Sequence, residues 1–154
     1  MTIINMKNTD LDIIGSMFRT TRALEKMLNR GVEKFGTTKA QIEVLILLRY
    51  ATLENVTITD IANELHVSKA SVSGVISKLL SQKLITRKVS SKDLRVQYIR
   101  LTKTGTILVD KVTPKYFGIA SDALSSFHVN EKMVLLDQLS YVESYVEHVE
   151  REDE

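Results

Sequence analysis

Over residues 11–35, Leu11, Ile14, Phe18, Leu24, Met27, Leu28 and Phe35 recur mostly every three or four positions, with Arg19, Arg22, Lys26, Arg30 and Glu33 between them. This spacing predicts a long amphipathic helix. Phe35-Gly36-Thr37 supplies a stop, and Thr38-Lys39-Ala40-Gln41 is a capping box that opens a second helix running to about Tyr50. Its run Ile42 and Val44-Leu45-Ile46-Leu47-Leu48 is apolar nearly all round, as in a helix buried on most sides. After the polar stretch 52–56, Thr57-Ile58-Thr59-Asp60 opens a short third helix with Ile61, Ala62 and Leu65 inward, and His66-Val67 makes a turn. Ser68 then caps a fourth helix over 69–82, apolar at Val72, Ile76, Leu79 and Leu80 and polar on the other face.

The period next changes. Residues 84–89 are enriched in β-branched types, Ser90-Ser91-Lys92-Asp93 is turn chemistry, and residues 96–101 alternate with period two, which together predict a β-hairpin. Thr102 can cap a fifth helix from Lys103 with Ile107, Leu108 and Val112 inward. Pro114, the one proline, is expected to kink or break that helix before residues 116–127 continue it. Asn130 is the expected cap of a sixth helix striped by Val134, Leu135, Leu139, Val142, Tyr145 and Val149.

Composition adds limits. With 44% hydrophobic and 26% charged residues over 154 positions, the chain can bury a core as one domain. The sequence shows neither a membrane-spanning apolar run nor a secretory leader, so a cytoplasmic location is expected. The absence of cysteine removes disulfides, thiolate metal sites, thiol redox sensing and cysteine nucleophiles together. A net charge of +2 conceals strong asymmetry. Residues 66–103 hold nine basic side chains against the single acid Asp93, a net +8, whereas residues 131–154 hold eight acids against two bases, a net −6.

The cationic block coincides with two short helices joined by a tight turn and followed by a hairpin. In a helix-turn-helix the second helix enters a major groove, where small hydroxyls allow close approach, bind phosphates and reach base edges. Ser68, Lys69, Ser71, Ser73, Ser77 and Lys78 on the fourth helix are the candidate DNA-reading residues. The hairpin with Lys88, Lys92, Asp93 and Arg95 forms a wing able to set cations beside the backbone or in the minor groove. For any one serine, capping and solvation explain its presence equally well; the ensemble favours DNA.

Further motifs complete a family pattern: Ile58-Thr59-Asp60-Ile61-Ala62-Asn63-Glu64-Leu65, Val67-Ser68-Lys69-Ala70-Ser71-Val72-Ser73, Leu84-Ile85-Thr86-Arg87, Asp93-Leu94-Arg95 and Leu101-Thr102-Lys103-Thr104-Gly105. Over residues 11–148 the chain resembles the MarR (multiple antibiotic resistance regulator) family of winged helix-turn-helix transcription regulators. The resemblance implies a mainly α fold with a small β-wing. It implies a single domain, 1–154, in which 1–36 and 103–154 are dimerisation helices and 37–102 the winged helix-turn-helix, with recognition helix 68–82 and wing 84–101. It further implies a homodimer that binds a pseudo-palindrome in double-stranded DNA and represses by occlusion, with Asp93 orienting Arg95 at the wing tip. The apolar surface of the first and last helices exceeds what one small lobe needs, which agrees with a dimer.

Two positions depart from the pattern. Gly74 stands where relatives often carry Arg or Lys, removing a long arm and weakening the helix by roughly 1 kcal/mol. Lys83 stands at a helix end where relatives have Gly, and must adopt positive φ or end the helix differently.

Other function classes are weaker. No nucleophile with its base, carboxylate pair or phosphate-cradling loop suggests an enzyme, and no cofactor is implied. His66, His128 and His148 are dispersed, which argues against a metal site. A winged domain that binds protein remains the third reading. Members of the family commonly bind small anionic or aromatic effectors in the crevice between dimer helices and winged domain, and Phe18, Arg22, Arg49 and Tyr50 are the candidates here; core packing and solvation are their plainer explanation.

Overall fold

A computed structural model describes residues 8–91 and 93–152, apart from the side chains of Glu150 and Arg151. The element order is α1 (Thr9–Glu33), α2 (Lys39–Tyr50), α3 (Ile58–Glu64), α4 (Lys69–Ser81), β1 (Ile85–Val89), β2 (Gln97–Leu101), α5 (Lys103–Ala123) and α6 (Val129–Glu152). The chain divides after Ile119 into two compact units. The mainly α fold with a two-stranded antiparallel wing is the architecture expected from the periodicities. No helix among the described residues is long and apolar enough to cross a membrane.

In the first unit one core joins five helices to the hairpin. Val32 of α1, Ile42 and Leu45 of α2, Ile61 of α3, Ile76 and Leu79 of α4, Ile85 and Ile99 of the strands and Val109 and Val112 of α5 are all buried within it. Helix starts follow the expected chemistry. The Thr38 hydroxyl accepts from the Gln41 amide N–H while the Gln41 side chain accepts from the Thr38 N–H, so both arms of the capping box form. Thr57 and Asp60 repeat the arrangement at α3.

Register in the hairpin runs Ile85↔Leu101, Thr86↔Arg100, Arg87↔Ile99, Lys88↔Tyr98 and Val89↔Gln97, so Ile85, Ile99 and Leu101 share the inward face. Val56, read in the sequence as part of a polar connection, forms an isolated bridge to Ile99, whose N–H donates to the Val56 carbonyl at 2.8 Å. A single bridging residue has no periodicity by which to be recognised.

Of the two outcomes expected at Pro114, the break does not occur, because helix α5 passes through it unbroken. Val109, Val112 and Thr113 are buried and hold one side of the helix, while Pro114 is exposed, so the carbonyl deprived of its N–H partner can turn to solvent. The Thr113 hydroxyl also donates to the Val109 carbonyl at 2.7 Å. Ile107, expected inward, is 60% exposed, and Val109 takes its place in the core. Helix α5 ends at Ala123, short of the expected Phe127, because the N–H groups of Leu124, Ser125 and Phe127 turn to carbonyls three residues back.

In the second unit Asn130 lies inside α6 and is not its cap. The helix starts earlier because the Glu131 carboxylate accepts from the His128 N–H at 2.7 Å, while the His128 carbonyl accepts from Lys132. Of the expected α6 stripe, Leu135 and Val142 are half-buried, while Val134, Leu139, Tyr145 and Val149 are exposed.

Candidate nucleic-acid interface

Helices α3 and α4 are joined by a turn closed in a definite way. His66 has φ +50°, the Val67 N–H donates to the Ala62 carbonyl and the His66 N–H to the Asn63 carbonyl. This is the 6→1 and 5→2 pairing of a Schellman motif, made by a non-glycine residue. Ser68 follows directly as the cap of α4, its hydroxyl accepting from the Ser71 N–H at 3.1 Å and lying 2.9 Å from the Ser71 hydroxyl.

The far end of α4 is anchored three times. Lys83, at φ +57°, ends the helix with a second Schellman pairing: Leu84 N–H to Leu79 carbonyl and Lys83 N–H to Leu80 carbonyl. The buried Gln41 side chain donates to the Gln82 amide oxygen at 3.0 Å, fastening α2 to this end. The Thr102 hydroxyl donates to the Lys83 and Leu84 carbonyls and accepts from the Gly105 N–H. Gly105 packs so closely on the Leu84 carbonyl that a β-carbon there would fall on its oxygen. These contacts explain the spacing in Leu101-Thr102-Lys103-Thr104-Gly105: the threonine caps α5 while holding the end of α4, and the glycine admits both.

The outward face of α4 carries Lys69, Ser71, Gly74, Ser77 and Lys78, all exposed. Ser73 is half-buried beside it, its carbonyl accepting from the Ser77 hydroxyl at 2.9 Å. Ala70 and Gly74, which the polar pattern did not nominate, also lie exposed on this helix. Their spacing of four was the available signal, but small residues carry no polar group to draw notice. A β-carbon at Gly74 would meet nothing within 4 Å.

At the wing tip Leu94 and Arg95 are exposed. The Asp93 carboxylate accepts from the backbone N–H of Arg95 at 2.9 Å, and the Asp93 carbonyl accepts from the Val96 N–H at 3.0 Å. Asp93 thus shapes the turn on which Arg95 stands through contacts to the backbone. Ser90 is buried beneath, its N–H donating to the Val96 carbonyl and its hydroxyl 3.4 Å from the Tyr98 hydroxyl. Lys88 is exposed on β1, and Lys92 lies outside the described residues. The two sets of candidate residues thus occupy adjacent elements, α4 and the hairpin that follows it, with one core beneath both.

Residues 37–96 match the family model of the MarR family. A structure of S. aureus MepR in complex with DNA is 26% identical, with a TM-score of 0.79 over 85% of this chain and 96% of that one. Residues 37–96 thus carry the winged helix-turn-helix of the MarR family, and the chain as a whole is similar to transcriptional regulators of that family. The Bacillus subtilis HTH-type transcriptional repressor YetL is 22% identical over 90% of this chain and 83% of its own length. Bordetella bronchiseptica BpsR, whose DNA binding is regulated by 6-hydroxynicotinic acid, shares the fold at 21% identity and TM-score 0.76, over 86% of this chain and 98% of its own. Such MarR-family proteins are regulators and not enzymes.

The four effector candidates do not line one cavity. Tyr50 lines a cavity of about 540 Å³ bounded by α2, the segment after it, α3 and α5, but Phe18, Arg22 and Arg49 are not among its lining residues. Arg49 instead donates to the Asp110 carboxylate at 2.8 Å and lies over the Tyr50 ring at 5.7 Å. The hydrogen bond and charge of Asp110 hold its guanidinium above its ordinary pKa. Inside the cavity, Tyr116 donates to the Glu43 carboxylate at 2.6 Å, and Lys39 bridges the same carboxylate at 2.9 Å. Burial first, then the Glu43 hydrogen bond and charge, push the Tyr116 hydroxyl well above the usual phenol range.

Proposed function

We propose that this chain is a cytoplasmic MarR-family repressor that acts as a homodimer on a pseudo-palindromic operator and is relieved by a small molecule. The observation carrying the proposal is the face of α4, with Ser71, Gly74, Ser77 and Lys78 exposed, next to a wing whose tip offers Arg95. Each α4 enters a major groove with Ser71 and Ser73 reading base edges, while Ser68, Lys69, Ser77, Lys78, Lys88 and Lys92 take phosphates. Arg95 enters the adjacent minor groove. In support of a dimer, Leu11, Ile14 and Phe18 of α1 and Met133, Leu136 and Tyr145 of α6 are exposed apolar side chains. Burying such surface against a second copy would divide the chain as proposed, with residues 1–36 and 103–154 joining subunits and 37–102 reading DNA. Occlusion of a promoter follows from binding alone, and YetL is a repressor. BpsR supports regulation by a ligand, through different affinities for the DNA-competent and other states.

Selection from a random duplex pool, followed by titration at two salt concentrations, tests the proposal. Wild-type protein enriches a pseudo-palindrome, Arg95→Ala loses most of the affinity, and Lys88→Ala weakens all sequences alike while lowering the salt slope by about one. Failure to bind any duplex at either salt concentration would favour a protein-binding winged domain instead.

A further inference from the structure

The cavity that Tyr50 lines has a chemistry opposite to the anionic effector suggested by family resemblance. Its volume of about 540 Å³ lies within the range of small-molecule sites. Ile46, Leu47, Leu53, Val56 and Leu65 give it apolar walls, with Tyr50, Tyr116 and Phe117 adding aromatic rings. Three carboxylates, Glu43, Asp60 and Glu64, also line it, and no Lys, Arg or His does among the described residues.

We infer that this cavity receives a lipophilic organic cation, such as an aromatic or bulky quaternary ammonium or phosphonium. Lys39 pairs with Glu43, Asp60 accepts from the Thr57 N–H and hydroxyl, and Glu64 is exposed, but no cationic side chain among the described residues lines the cavity beside them. An anion entering apolar walls would be desolvated beside like charge, whereas a cation is drawn in by the carboxylates and by the faces of the rings. The two arginines that would have received an anion are elsewhere: Arg22 does not line the cavity, and Arg49 is engaged by Asp110. Glu64 and Leu65 end α3 immediately before the helix-turn-helix turn, so an occupant touches the element that seats α4. The inference rests on the effector reading proposed above only for its regulatory consequence; the charge preference stands on the cavity itself.

The test uses the full chain and two probes of matched shape and opposite charge, tetraphenylphosphonium and tetraphenylborate, titrated by calorimetry. The phosphonium binds at least tenfold more tightly, and Glu43→Gln and Glu64→Gln each weaken it threefold or more while retaining wild-type circular dichroism. Borate that competes with the phosphonium at equal or greater affinity overturns the inference, as does phosphonium binding indifferent to both substitutions. A parallel titration of protein on its selected duplex separates the two readings. Release of DNA by the phosphonium supports both. Charge-selective binding without release upholds the cavity chemistry and refutes the effector role. Release by the borate alone, with no phosphonium binding, refutes the cation and upholds the effector.

Discussion

Gly74 offers a direct way to separate what α4 needs for folding from what it needs for DNA. The residue lies in the interior of a thirteen-residue helix, is exposed, and would place a β-carbon in open space. Gly74→Ala therefore brings no clash, and the helix gains the propensity difference of about 1 kcal/mol, most of it from restricting the unfolded backbone. For a chain of this size such a gain raises Tm by about 2–4 °C. Thermal unfolding followed by far-ultraviolet circular dichroism reads the shift, and urea unfolding should move its midpoint at constant slope. A second substitution at the same position tests the interface. Gly74→Lys puts a cation on the proposed DNA-facing surface and should steepen the salt dependence of duplex binding by about one unit. If Gly74→Ala fails to stabilise, the account of an open, regular helix at this position is wrong. If Gly74→Lys leaves the salt slope unchanged, this face of α4 does not lie against phosphates.

Lys83→Gly should stabilise the chain by about 1 kcal/mol, because φ +57° disfavours a side chain; a higher urea midpoint checks it. Gly105→Ala should cost about 1–3 kcal/mol, since the added methyl meets the Leu84 carbonyl and backbone cannot swing aside as a side chain can; the same denaturation measures the loss. Tyr116→Phe removes the hydrogen bond to the Glu43 carboxylate, and about 1.5–3 kcal/mol of stability should go with it. Folded Tyr116 holds its proton more tightly than the unfolded chain does, so its contribution is complete below pH about 10 and declines as pH rises further. The gap between wild type and Tyr116→Phe in urea unfolding should therefore narrow above that pH, and a constant gap would refute the assignment.

Local features of this protein were legible from the chain alone. Thr38 with Gln41, Ser68 and Thr102 act as the caps their chemistry indicates, and Ser90, Ser91 and Asp93 fall between the two strands. Each depends on groups within a few residues of one another, so spacing suffices to recognise it. The serine and lysine face of α4 is legible for the same reason, since a helix of period 3.6 puts its polar positions on one side.

Tertiary packing decided the rest. Pro114 stays inside α5 because buried neighbours hold the opposite side, a circumstance absent from the sequence around it. Lys83 accepts positive φ because Leu79 and Leu80 carbonyls, Gln41 and Thr102 bind the chain on either side of it. Val56 joins the wing only because Ile99, more than forty positions away, offers its N–H. The character of the cavity was hidden most completely. Glu43, Glu64 and Tyr116 belong to three helices, and the periodicity of each helix shows which side is apolar but not which acids from different helices will face a common space.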